Sequence, residues 1–325
     1  MTALFDRDAL AAATDRVHRH MAATPQYAWP LLRARTGVNV WVKHENHGPT
    51  GAFKVRGAFT FMDWLRRTQP DCPGIITATR GNHGQGQALA ATAAGLRAVV
   101  YVPKGNSVEK NAAMRAFGAE LVEFGEDFDT ARVEATRVAA LEGLFPVPPF
   151  HPELVRGVAT YAFELFSAKP DLDTVYVPIG CGSGICGVIT ARDALGLKTK
   201  VVGVVSDAAQ TAKLSVEAGR LVETETARTF ADGMAVRVPV QAAYDIYSKG
   251  AERIVTVSDD AVAEAIRAYY TDTHNLAEGA GAAPLAALMQ ERDRMQGREV
   301  GVILCGGNID SGWMATILQG GTPRV

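Results

Sequence analysis

The chain has 325 residues, 47% hydrophobic and 21% charged, with a formal net charge of −2. These proportions fit a globular protein able to bury a sizeable core, in two domains or one large α/β unit. Near-neutral charge without a basic run gives nucleic acid and anionic membrane surfaces no electrostatic footprint.

The N-terminal segment MTALFDRDALAAATDRVHRH mixes acids and bases throughout, unlike the apolar centre of a signal peptide. The most apolar stretch, 88–102, is broken by Gly95 and Arg97 and is too short to span a bilayer. Cys72, Cys181, Cys186 and Cys305 fit neither a disulfide framework nor zinc-ligand spacing, so a reducing, cytoplasmic setting is expected.

In chain order, strands are expected at 38–43, 74–78, 97–102, 120–124, 174–178, 200–205, 253–257 and 299–304. Several, such as AVVYV and EVGVIL, are continuous apolar runs, which suits strands buried on both faces of a parallel sheet. Ala-rich helical patterns lie between them. Val55, Phe59 and Met62 fall at i, i+4 and i+7, and Ser107 and Ser258 stand as N-caps followed by acids. This alternation argues for an α/β fold. The proline cluster at 145–152, FPVPPFHP, is the best candidate for a crossing between domains.

Four loops stand at strand ends or helix starts, the edge where open α/β sheets bind ligands. The first, HENHGPTGAFKVRGAF at 44–59, carries Lys54. A lysine is commonly a solvated surface charge, but among apolar groups near a helix start its charged form is disfavoured and the amine becomes a nucleophile. The second, TATRGNHGQGQALAA at 77–91, turns from a strand into a helix whose free N–H groups suit a carboxylate or phosphate. It reads equally as a plain connection.

The third, YVPIGCGSGICG at 176–187, alternates Gly180, Gly182 and Gly184 between a strand and a helix, with Ser183 as a hydroxyl donor. It also resembles a dinucleotide fingerprint, with Asp207 as the ribose acid, so a nicotinamide-dependent oxidoreductase is an alternative; however, G-x-G-x-G is not G-x-G-x-x-G. The fourth, ILCGGNID at 303–310, ends a buried strand at Cys305 and turns through two glycines; a free cysteine packed in the core is its plainer reading.

In this order the loops resemble the signature of fold-type II pyridoxal-phosphate (PLP) enzymes, in the serine/threonine dehydratase branch that includes serine racemase. GAFKVRGAF is similar to that family's S-F-K-x-R-G-A segment, RGNHGQGQALA to its S-x-G-N-H-x-Q-x-x-A loop, GCGSG to its tetraglycine phosphate cup, and CGGNID to its S-G-G-N segment. DGMAVR and AEGAGAA are weaker echoes in the same order. The resemblance runs from about Thr24 to Gly312.

It implies a tryptophan-synthase-β-like fold of two open twisted α/β domains: residues 1–70 with 150–325 as the large PLP-binding domain, and 71–149 as the small one. Lys54 would hold PLP as a Schiff base, with Phe53 beside the ring. Asn82 would bond the cofactor's 3′-oxygen, and Gly180, Cys181, Gly182, Ser183 and Gly184 would cradle its phosphate. Cys305 would face the pyridine nitrogen, with Glu278 near the ring. Thr79, Arg80, Gly81, Asn82 and His83 would hold the substrate carboxylate. The implied activity is that of a hydroxy amino acid ammonia-lyase: water is eliminated from a 3-hydroxy amino acid to give a 2-keto acid and ammonia. A homodimer is implied as well.

Three departures refine this. The family's pyridine partner is most often Ser, and liver-type serine dehydratases place Cys there, as Cys305 stands here. Serine racemase uses a serine as second acid/base where this chain has Arg80, and a guanidinium cannot serve as that base. Elimination is therefore favoured over the alternatives on the same fold, an amino-acid racemase or a β-replacement synthase. Threonine or serine is the default substrate, with phenylserine and 3-hydroxyaspartate open; Arg80, if turned inward, would attract the latter. The segment after the strand that follows the phosphate loop, Ser206 to Gln210, lacks most of the carboxylates that bind a cation in relatives, so no metal is expected.

Overall fold

The apolar runs form strands that are buried along most of their length, as in Thr174–Pro178, where every residue is inaccessible. In the computed structural model, which describes residues 4–325, ten strands divide between two sheets. They are β1 (Gln26–Ala28), β2 (Asn39–His44), β3 (Gly74–Ala78), β4 (Arg97–Val102), β5 (Glu120–Glu123), β6 (Phe145–Pro146), β7 (Thr174–Pro178), β8 (Lys200–Ser206), β9 (Arg253–Val257) and β10 (Glu299–Leu304). The larger sheet has the order β1-β2-β10-β7-β8-β9 and the smaller β5-β4-β3-β6. Every pairing is parallel except that of the edge strand β1 with β2.

Five strands have the expected bounds; β5 and β8 differ by one residue at one end, and β2 is shifted by one residue at both ends. β1 and β6 were not expected. Each is two or three residues long on a sheet edge, and β6 contains a proline, so neither leaves a period-2 pattern in the sequence. Both expected caps form: Ser107 accepts from the Lys110 amide and Ser258 from the Ala261 amide. Val55, Phe59 and Met62 are buried together on one face of the Lys54–Thr68 helix.

That helix is fixed from behind by close packing and buried charge. Gly57 and Gly157 let its backbone meet the Pro152–Ala168 helix; a Cβ on Gly157 would lie 2.2 Å from the Arg56 carbonyl oxygen. Arg56, fully buried, donates to Glu45 at 2.7 Å and to Glu164 at 2.6 and 3.0 Å. Lys43, also buried, donates to Glu164 at 2.6 Å and to the Thr24 carbonyl at 2.7 Å. Such a network persists only with each charge matched, so it pins Lys54 two residues upstream of Arg56. Among the described residues no helix is long and apolar enough to cross a membrane.

Candidate active site

All four loops lie at the carboxyl ends of parallel strands, two on the larger sheet beside β7 and β10, one after β3 on the smaller, and the Lys54 loop after β2. The Cys305 segment joins three of the site's parts by backbone bonds. The Phe53 amide donates to the Cys305 carbonyl at 3.0 Å and the Gly307 amide to Gly51 at 2.9 Å. The Glu278 amide donates to Gly306 at 3.1 Å. Asn308 then donates its side-chain amide to the Thr50 carbonyl and to Asn82 Oδ1, both at 2.8 Å.

Lys54 is the first residue of its helix, and its Nζ lies 3.2 Å from Ser183 Oγ and 4.8 Å from the centre of the Phe53 ring. Burial lowers its pKa; the neighbouring Cys181, Cys305 and Glu278 oppose this only in part. The amine is thereby brought nearer to its reactive, neutral form.

Ser183 opens the Ser183–Ala194 helix, which has no side-chain cap, so its first amides are free for an anion. Gly182 ahead of it has φ +98°, which an L side chain rarely adopts. Gly180 abuts the Gly233 carbonyl oxygen, which would sit 2.2 Å from an added Cβ. Tyr161 braces this loop, donating its hydroxyl to the Gly184 carbonyl at 3.2 Å and meeting Phe53 edge to face. Cys181 and Cys305 both lie close enough to Lys54 to influence its charge, and burial pushes both thiols up, which keeps them protonated.

The second helix start faces the same cleft. Gly81 donates its amide to Thr79 Oγ1 at 3.2 Å, and the Asn82–Ala93 helix begins without a side-chain cap. Asn82 donates to both oxygens of Glu278, at 2.7 and 2.9 Å. Burial raises the Glu278 carboxyl, and Lys110 opposes that rise. His83 is held neutral, its pKa about 3, by burial and by Lys54, and its Nε2 is buried with no hydrogen-bond partner. Arg80 is exposed, with its backbone carbonyl accepting from Asn106 at 3.3 Å.

The fold thus brings together Phe53, Lys54, Thr79, Gly81, Asn82, His83, the 180–184 loop, Glu278 and Cys305, and leaves the Arg80 side chain outside that group. Sequence reasoning missed Tyr161, Asn308, Lys110 and Asp232 as parts of the site. Asp232 and Asn308 lie within the DGMAVR and CGGNID segments already singled out, whereas nothing local marks Tyr161 or Lys110.

L-threonine ammonia-lyase of Geobacter sulfurreducens is 35% identical over 311 residues, covering 95% of this chain and 77% of that protein. L-threonine ammonia-lyase of Thermotoga maritima is 33% identical over 292 residues, covering 90% and 72%. The structure of the processed form of threonine deaminase isoform 2 from Solanum lycopersicum superposes with a TM-score of 0.90 at 29% identity, covering 97% of this chain and 94% of that one. The family profile described as "Pyridoxal-phosphate dependent enzyme" matches residues 17–306, and the chain belongs to that family.

Proposed function

We propose that this enzyme eliminates water from a 3-hydroxy amino acid, threonine or serine first, releasing a 2-keto acid and ammonia. The observation that carries it is the Lys54 amine, lowered in basicity by burial and 3.2 Å from Ser183 at a glycine-lined, uncapped helix start. The threonine ammonia-lyases among its relatives support the same reaction.

The residues fit pyridoxal phosphate. The Gly180–Gly184 cradle admits a phosphate against free amides, where a side chain on Gly180 or Gly182 would clash. Lys54 supplies the amine, and the unpartnered His83 Nε2 is a buried polar atom left to be satisfied. When bound, the cofactor supplies an electron sink for the charge that develops at Cα.

The chain's own residues do the remainder. The free amides at the start of the Asn82–Ala93 helix bind the substrate carboxylate, with neutral His83 behind them. With the cofactor bound, the Lys54 amine would be placed to accept the Cα proton at Nζ. Cys305, a buried neutral thiol, would offer the cofactor ring an uncharged neighbour where an aspartate would bring a negative charge. Asn308 and Glu278 fix Asn82 from either side. The hydroxyl would leave Cβ as water with the proton that Lys54 took from Cα, and one water would hydrolyse the released imine, so the net products are keto acid and ammonia.

We assign residues 71–149 to a small domain and 1–70 with 150–325 to a large one, since β3 to β6 share one sheet and the remaining strands the other. Residues 1–3 lie outside those described. We also read the protein as a cytoplasmic homodimer; sedimentation of the purified enzyme tests the dimer. The activity is tested by supplying PLP and following keto acid and ammonia from L-threonine and L-serine. Formation of D-serine without ammonia would replace elimination with racemisation.

A further inference from the structure

Beside the cleft lies an ion pair with no part in the chemistry above. Lys110 stands in the first turn of the Val108–Ala116 helix, and its side chain crosses Gly81 so closely that a Cβ there would lie 2.8 Å from Lys110 Cδ. Only 7% of that side chain is exposed, and its ammonium pairs with Asp232. Asp232 begins a short turn, Asp232–Met234, whose Gly233 carbonyl abuts Gly180 of the glycine cradle. One pair therefore reaches from the 79–83 turn to the phosphate loop.

Glu278 and Asp310 act on the same ammonium, and Asp310 accepts from Ser107 Oγ at 2.5 Å. Asp232 already matches this cation, and the Glu278 carboxyl, held by Asn82 beside Gly81, keeps the surroundings acidic. The Arg80 side chain, in solvent, does not alter that balance.

We infer that Asp232, by occupying Lys110, determines specificity: it sets the pocket against substrates that carry a second carboxylate. The inference rests on the reaction proposed for this site. The β-substituent of threonine or serine is neutral and meets no charge penalty. The β-carboxylate of 3-hydroxyaspartate would enter beside Asp232 with Lys110 already paired, and like charges brought together out of water repel strongly. In the opposing reading, Asp232 would swing out to solvent and give Lys110 to the substrate. The two readings demand opposite preferences.

The test uses wild-type, D232N and K110M holoenzymes. Two ratios are measured for each: kcat/KM for 3-hydroxyaspartate over L-threonine, and Kd for L-aspartate over L-alanine by thermal shift, since neither of these bears a β-leaving group. The wild type should prefer L-threonine and bind L-alanine more tightly. D232N should shift both preferences towards the diacid by about tenfold or more, and K110M should shift them the other way. A wild type that prefers the diacid, or variants that weaken both ligands equally, would overturn the inference. If D232N fails to fold, K110M and the wild-type ratios still decide. Turnover of L-threonine with unmoved ratios defeats this inference alone; no turnover of threonine or serine defeats the reaction, while the Kd ratios still judge Asp232.

Discussion

Asn82 reaches Glu278 across the cleft, its amide nitrogen 2.7 and 2.9 Å from the two carboxylate oxygens, although 196 residues separate them in sequence. Replacing Asn82 with Asp sets two carboxylates face to face in a buried site. That costs more than losing one hydrogen bond, since a charge is left unmatched. N82D should lower kcat/KM for L-threonine by roughly a hundredfold while the fold persists, as circular dichroism and kinetics would show. N82A should lose less than N82D; the reverse order would argue against the pairing.

Gly180 has no room for a methyl group, because a Cβ would come within 2.2 Å of the Gly233 oxygen. Backbone must move, and the cradle moves with it. Overpacking of this kind costs about 1–3 kcal/mol, so G180A should weaken PLP binding roughly tenfold or more. Titrating cofactor-free protein with PLP and following the visible absorbance measures it.

Gly157 makes the parallel case in the scaffold. A Cβ there would lie 2.2 Å from the Arg56 oxygen and 2.3 Å from Thr60 Oγ1. G157A should lower stability by about 1–3 kcal/mol, a drop of several degrees in Tm. Because the strain falls on Arg56, two residues from Lys54, activity below Tm should fall as well.

Glu164 ties stability to pH. Burial alone would raise its carboxyl, but Arg56 and Lys43 outweigh burial and hold it down at about 2, below the ordinary 4.5. A depressed folded-state pKa stabilises the protein above the unfolded value, and that contribution is lost as pH falls through the folded one. The gap in denaturant stability between wild type and E164Q should be widest above pH 5. It should narrow by roughly 3 kcal/mol as pH approaches 2. A gap constant from pH 7 to pH 3 would mean that the carboxylate is not held by those cations.

Strands such as β7 and β10 could be read directly, because burial on both faces leaves an unbroken apolar run. The short edge strands β1 and β6 could not, since their pairing is decided by neighbours rather than by their own pattern. In the site, Lys54, the glycine cradle and the 79–83 turn were legible because backbone geometry dictates glycine and small residues locally. Lys110 looked like any helix lysine. Its role arises from Asp232, 122 residues away, and from Gly81, which makes room for it. Arg80, placed by sequence order among substrate contacts, is exposed, and only its backbone carbonyl is engaged, accepting from Asn106.

The most direct test is to load the protein with PLP, reduce it with borohydride and map the modified residue by mass spectrometry. The account predicts a yellow protein with the stable adduct on Lys54, and a colourless, inactive K54A. Modification of another lysine such as Lys110, or full turnover of L-threonine by K54A, would contradict it.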